Sequence, residues 1–195
     1  SGYEGDVEPR HIIEYLFNEV GIAGVKDKVK KPLAGLKVAP YYGCLYSRPS
    51  VYTGTARNPR MDDAERPRFM HALLEACGAT TVSYGNETSC CGGRSLIQDE
   101  DTSFRLIYDT LSKAKTAGAD VVALICPKCA GGLDIMQENV LRSAEKRESG
   151  AGKKGHIPIV YATQLIGLAF GASAGEMKLG DMETGAASVL SSKVR

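Results

Sequence analysis

The sequence predicts an α/β fold: a Rossmann-like parallel sheet of about four strands flanked by helices, with cysteines at its carboxyl rim. Three observations predict it. Short apolar runs alternate along the chain with stretches of helical periodicity, the pattern of repeated β-α units. The most apolar run, Val121-Val122-Ala123-Leu124-Ile125, shows no polar alternation, as expected of a strand covered on both faces. Cysteines follow the predicted strands, at Cys44, Cys90-Cys91 and Cys126.

From Glu8-Pro9-Arg10 onward, Ile12, Ile13, Leu16, Phe17 and Val20 recur at helical spacing and stop near Gly21. A basic stretch with Lys26, Lys28, Lys30 and Lys31 reads as a solvated connector ending at Pro32. Leu36 to Tyr41 reads as the first strand, running into Tyr42-Gly43-Cys44. Pro67 to Cys77 reads as a helix with Phe69, Leu73 and Leu74 on its apolar face and Gly78 as its stop. Thr80 to Tyr84 is a short β-branched strand that leads through a polar turn into Cys90-Cys91-Gly92-Gly93. A helix from about Thr102 to Ala117 ends at Gly118, and Asp120 to Ile125 is the central strand. Cys126-Pro127-Lys128-Cys129 closes that strand and opens a helix over Leu133 to about Arg147. Ile157 to Tyr161 is the fourth strand, followed by a helix from Thr163 to Phe170. The tail after Gly171 is rich in glycine and alanine and is expected to be loosely ordered. The organisation expected is an N-terminal helix and basic connector over 1–35, a cysteine-rich domain over 36–171 and a loose tail over 172–195. Because the chain begins at Ser1 and not Met, an excised or processed piece is expected.

Of the 195 residues, 43% are hydrophobic and 24% charged, enough for one core and too few for two generous domains. Lys plus Arg number 24 against 23 Asp plus Glu, for a net charge of +1. Nucleic acid or an anionic membrane surface would favour a clear basic excess, so neither is expected as a partner. No run approaches the ~18 apolar residues of a membrane span, and no signal-peptide pattern opens the chain.

The six cysteines carry the chemistry. Two are adjacent and two bracket Pro127-Lys128, a clustering that suits metal ligation or redox chemistry in a reducing, cytoplasmic compartment better than a disulfide framework. Right-handed crossovers place every strand-to-helix turn on one rim, which delivers Cys44, Cys90, Cys91, Cys126 and Cys129 to a shared crevice. Five thiols exceed the four ligands of a tetrahedral zinc. Vicinal Cys90 and Cys91 point in different directions, which suits neighbouring metals in an iron-sulfur cluster better than a single ion. Zinc stays open as the alternative. A thioredoxin-like dithiol at Cys126 and Cys129 accounts for only part of the pattern. Gly43, Gly92 and Gly93 allow backbone to approach a bulky inorganic core and turn amide N–H groups toward sulfur. Cys77, at a helix end, reads as a small buried hydrophobe.

Several stretches together resemble the cysteine-rich CCG domain found in the B subunit of heterodisulfide reductase, over roughly Gly5 to Gly171. They are Ala39-Pro40-Tyr41-Tyr42-Gly43-Cys44 with Arg48-Pro49-Ser50 after it, Cys90-Cys91-Gly92, Cys126-Pro127-Lys128-Cys129, and the run Tyr-Ala-Thr-Gln-Leu-Ile-Gly-Leu-Ala from Tyr161 to Ala169. The full B-type protein of that family carries two such domains, and this chain resembles the C-terminal one. The resemblance implies that Cys44, Cys90, Cys91, Cys126 and Cys129 bind a non-cubane 4Fe-4S cluster. It also implies an oxidoreductase component that contributes to reductive cleavage, or formation, of a small disulfide or thiol substrate. The implied partners are the A-type protein of such complexes, with flavin and iron-sulfur clusters, the iron-sulfur C-type protein, and the N-terminal CCG domain of the same B-type protein. No catalytic residue is assigned, and the isolated piece is expected to be inactive alone. The competing expectation is a non-catalytic zinc- or cluster-binding assembly module. Against the family pattern, the interval from Cys44 to Cys90 is long, which points to an extra loop around Arg57 to Pro67, and Cys77 adds a competing thiol.

Other features weigh less. Arg48, Arg57, Arg60, Arg66 and Arg68 fall in the first crossover and could hold an anionic thiol substrate, or simply form a solvated loop. Tyr161 and Thr163 end the fourth strand on the functional rim, where they shape the pocket or pack. Ser149 to Gly155 fails the phosphate-loop pattern and reads as a flexible loop. His11, His71 and His156 have no spacing that suggests ligation.

Overall fold

The structure is a computed structural model and describes residues 2, 5, 10–47, 61–149 and 156–194. Its centre is a four-stranded parallel sheet, with strands β1 (Lys37–Tyr41), β2 (Thr80–Thr81), β3 (Val121–Leu124) and β4 (Ile159–Tyr161) in the order β2-β1-β3-β4. The α/β class and the strand count agree with the sequence reading. β1 and β3 are in register from Val38 opposite Val121 to Tyr41 opposite Leu124, and β3 pairs β4 from Val122 opposite Ile159. β2 is shorter than its β-branched run suggests. It pairs β1 at Lys37 and Val38 only, so Pro40, which has no N–H to donate, lies where β1 needs no ladder on that side. The Pro40 carbonyl instead accepts from the Tyr84 hydroxyl at 3.2 Å.

Side chains alternate between two cores, as the period of two in a strand requires. Val38, Val121, Ala123 and Val160 point to one face, and Ala39, Tyr41, Val122, Leu124 and Ile159 to the other. The first face is covered by α1 (Ile12–Tyr15), a π-helical turn (Leu16–Val20), α2 (Gly21–Lys28), α4 (Phe69–Ala76) and α8 (Ala162–Ala169). The second is covered by α5 (Glu100–Thr116) and α7 (Gln137–Arg147). Two short helices sit at strand ends, α3 (Gly43–Ser47) after β1 and α6 (Pro127–Ala130) after β3.

The connector expected after Gly21 is helical in its first part. Gly21 has φ +72°, which ends one helix, and α2 then runs on with Val25 buried and Lys26 and Lys28 exposed. The tail is also more ordered than its composition suggests. A 3₁₀ turn (Leu179–Asp181) and α9 (Ala186–Lys193) bury Leu179, Ala186 and Leu190 against the first core. Burying each leucine yields about 2 kcal/mol, enough to hold a segment of low helical patterning. Lys193 adds an ion pair to Asp120 at 2.9 Å.

Candidate metal centre

Five of the six thiols fall in segments that follow strands β1, β2 and β3 in the chain. Cys44 sits in α3, directly after β1, and Cys126 caps α6, directly after β3. The polar turn before Cys90 is bonded to the same end of β1. The Glu87 carbonyl accepts from the Tyr42 amide at 2.8 Å and the Gly43 amide at 3.1 Å, and the Ser89 carbonyl accepts from the Tyr41 hydroxyl at 2.6 Å. The parallel register of Tyr41 and Leu124 puts the starts of α3 and α6 at the same end of the sheet.

The thiols influence one another in two sets, Cys90 with Cys44 and Cys129 with both Cys91 and Cys126. The two neighbouring sulfurs, with burial after them, push the Cys129 thiol far up. Cys129, followed by amide and Lys128 contributions that outweigh burial, lowers Cys126 to about 5. Cys129 also lowers Cys91 against burial, helped by the Gly93 amide, 3.4 Å from its sulfur. Burial is the main reason Cys90 is raised, and the Gly92 amide at 3.4 Å works the other way. Cys90 is exposed, Cys44 and Cys126 half-buried, and Cys91 and Cys129 buried. None of the six cysteines is in a disulfide.

The glycines are spaced for sulfur and backbone. A Cβ on Gly43 would stand 3.2 Å from the Cys129 sulfur, and one on Gly93 would stand 2.8 Å from the Lys128 carbonyl and 3.3 Å from the Cys91 sulfur. A Cβ on Gly92, which adopts φ +74°, would stand 2.9 Å from the Ser103 backbone. Donor chemistry and space therefore suit a group bound through thiolates. Among the described residues, no three or more of the His, Cys, Asp or Glu side chains form a ready cage for one metal ion. The sulfurs lie as a pair and a trio, an arrangement unlike the tetrahedron of a structural zinc.

Cys77 stands apart. It caps α4 in the first core, fully buried, and burial raises its thiol to about 11. Tyr161 is half-buried close enough to Cys126 and Cys129 to feel both, while Thr163 is exposed. Arg66 and Arg68 are exposed along a cleft of about 240 Å³ with His71 and Thr88; Arg48, Arg57 and Arg60 lie outside the described residues. The loop expected at Arg57 to Pro67 is described from residue 61, where Asp62 accepts the Arg68 and Phe69 amides and so starts α4. Of the Ser149 to Gly155 stretch only Ser149 is described. His11 caps α1 and packs on Tyr46, with ring centroids 4.9 Å apart. His71 pairs with the Tyr42 hydroxyl at 2.8 Å, and His156 is exposed. Sequence reasoning missed Tyr41, whose hydroxyl ties the strand to the Cys90 turn; nothing in its spacing distinguishes it from an ordinary core residue.

A family model described as the cysteine-rich domain, CCG, matches residues 38–134, a span that holds all five of these thiols. Through that segment the chain belongs to the CCG family. The CCG chain is 30% identical over 177 residues to the membrane anchor subunit of 8-methylmenaquinol:fumarate reductase from Wolinella succinogenes, covering 91% of this chain and 57% of that protein. It is 34% identical over 177 residues to the B subunit of the ferredoxin/F(420)H(2)-dependent CoB-CoM heterodisulfide reductase of Methanosarcina acetivorans, covering 90% of this chain and 54% of the relative. The B subunit of the ferredoxin:CoB-CoM heterodisulfide reductase of Methanosarcina mazei is 34% identical over 173 residues, covering 88% of this chain and 53% of the relative. The CCG chain thus spans about half the length of these curated relatives. Among the described residues no helix is long and apolar enough to cross a membrane.

Proposed function

We propose that the CCG chain is the iron-sulfur-binding half of a protein like the B subunit of heterodisulfide reductase, with Cys44, Cys90, Cys91, Cys126 and Cys129 as ligands to a non-cubane 4Fe-4S cluster. What supports the reading is that five cysteines from three separate turns influence one another as a pair, Cys44 with Cys90, and a trio, Cys129 with Cys91 and Cys126. A cluster with several irons uses five soft donors that a single zinc leaves partly idle. The names of the two Methanosarcina relatives support the same reading.

When bound, the cluster supplies one-electron steps to a disulfide substrate. Cleavage of that disulfide to two thiols consumes two electrons and two protons, and the electrons come from partner proteins carrying flavin and conventional clusters. The chain's own part is positional. Gly92 and Gly93 donate amide hydrogens to the Cys90 and Cys91 sulfurs, and amide hydrogens stabilise thiolate charge. Gly43 leaves room beside Cys129. Cys44, Cys90, Cys91, Cys126 and Cys129 would hold the cluster through their sulfurs, as soft thiolate donors. The partners proposed are the A-type and C-type proteins of such a complex, a second CCG domain and a small disulfide or thiol, all meeting in the cytoplasm.

The test is elemental. Anaerobically reconstituted chain should carry several irons and acid-labile sulfide with broad visible absorbance. One zinc per chain and no sulfide would replace the cluster by a structural metal and favour an assembly module.

A further inference from the structure

The tail that composition left unpatterned meets the helix carrying Cys129 at a buried side chain. Asp134, 4% exposed, lies in the π-helical turn Gly131–Ile135 that continues α6. Its Oδ1 accepts from the Thr184 amide at 3.0 Å and from the Thr184 hydroxyl at 2.6 Å, and its Oδ2 accepts from the Glu183 amide at 3.1 Å. The Thr184 oxygen in turn accepts from the Ile159 amide at 2.8 Å, at the first residue of β4. Further along, Gln137 donates to the Leu133 carbonyl at 2.7 Å and the Ile157 carbonyl at 3.1 Å, and accepts from the Ile157 amide at 3.0 Å.

These bonds have a consequence for the thiols. α6 runs through the π-helical turn into α7 with Gly131 and Met136 both in right-handed helical conformation, so the turn holding Asp134 and the segment holding Cys126 and Cys129 belong to one helical run. What the turn is bonded to therefore helps to set the orientation of the Cys126–Cys129 segment. A carboxylate as buried as Asp134 is costly without donors, so the segment settles where Thr184 and Glu183 supply three. The contact is also near the thiols, because Asp134 lines one cavity with Ala130, the residue after Cys129. Between Ala130 and Tyr161 on one side and Lys178 and Met182 of the tail on the other lies a cavity of about 340 Å³, so the tail forms a wall beside the site.

We infer that Asp134 and Thr184 form a latch by which the C-terminal tail positions Cys126 and Cys129 against Cys91. Both are positioning residues. The latch rests on the proposed function only for what the thiols hold; its effect on thiol placement is independent of any metal.

The test uses the full chain, metal-free and reduced, with iodoacetamide and the alkylation rate of each cysteine read by mass spectrometry. Thr184→Val keeps the side-chain shape and removes the hydroxyl, and Thr184→Ser restores it. In Thr184→Val, Cys129 should alkylate about tenfold faster while buried Cys77 stays within about twofold of the native rate. Thr184→Ser should return Cys129 to the native rate. Equal acceleration at Cys77 and Cys129, or an unchanged Cys129, overturns the latch. If circular dichroism shows Thr184→Val unfolded, Asp134→Asn, which loses one acceptor at nearly equal volume, is read by the same two rates. In reconstituted protein, the Thr184→Val variant should lose iron to a chelator about tenfold faster than the native chain. Native chain that takes up no iron would sink the cluster reading, and the alkylation rates would still decide the latch.

Discussion

The Tyr41 hydroxyl donates to the Ser89 carbonyl at 2.6 Å, and this bond joins the end of β1 to the residue before Cys90. Tyr41 is fully buried, and its phenol is surrounded by low-dielectric core and by Cys91, Cys129 and Cys90, which together push its pKa far up. It therefore acts as a permanent donor, holding the Cys90 turn against the strand that leads to Cys44. Tyr41→Phe removes the donor and leaves a carbonyl unpaired, at a cost of about 1–2 kcal/mol. Urea denaturation should show that loss, together with a lower iron content after reconstitution.

Gly93 is the tightest glycine at the site. Gly93→Ala drives a methyl to 2.8 Å from the Lys128 carbonyl, backbone that moves only if α6 moves. Overpacking of this kind costs about 1–3 kcal/mol and displaces Cys129 with its helix. Gly131, with open space around a built Cβ, is the control. Gly131→Ala should bind as much iron as the native chain, while Gly93→Ala binds little.

Cysteine replacements separate ligands from core. Cys91→Ser should abolish the visible absorbance of reconstituted protein, because a hydroxyl is a hard and weakly acidic donor beside a thiolate. Cys77→Ala should cost about 1 kcal/mol through lost packing and leave the spectrum unchanged. A loss of absorbance in Cys77→Ala would place that thiol among the ligands.

The Asp120–Lys193 contact predicts an acid effect on stability. Burial opposes the Asp120 charge, but the Lys37 amide at 2.9 Å and the Lys193 ammonium outweigh it, so its folded pKa falls below the ordinary value. A carboxyl with a depressed folded pKa contributes stability that is present at neutral pH and lost as pH falls from the unfolded value through the folded one. Asp120 is half-buried and Lys193 exposed, so the contribution is of the order of 0.5 kcal/mol after screening. Asp120→Asn should flatten the acid limb of a stability-pH profile below about pH 4 and leave its neutral region nearly unchanged. An identical acid limb in native and variant chains would remove Asp120 from the account.

Most of the sheet was legible because its signal is local. The apolar run at Val121 to Leu124 and the glycine stops at Gly78 and Gly118 follow from covering a strand on both faces and from ending a helix. The extent of β2 was not legible, since Val82 and Tyr84 have strand propensity and only the position of Pro40 opposite them makes a longer ladder pointless. The ordering of the tail escaped for a related reason. Leu179 and Leu190 are isolated in sequence, and their value depends on packing against the first core, beside Leu168 of α8, that no spacing reveals.

What the amino-acid order determined alone was the succession of strands and helices and the placing of cysteines just past strand ends, because periodicity and chain direction act over a few residues. What the tertiary structure decided was which thiols touch, that Cys77 is excluded from them, and that Thr184 reaches back to Asp134. Those depend on strand order and helix tilt, which are set by how two apolar faces pack and not by any single segment.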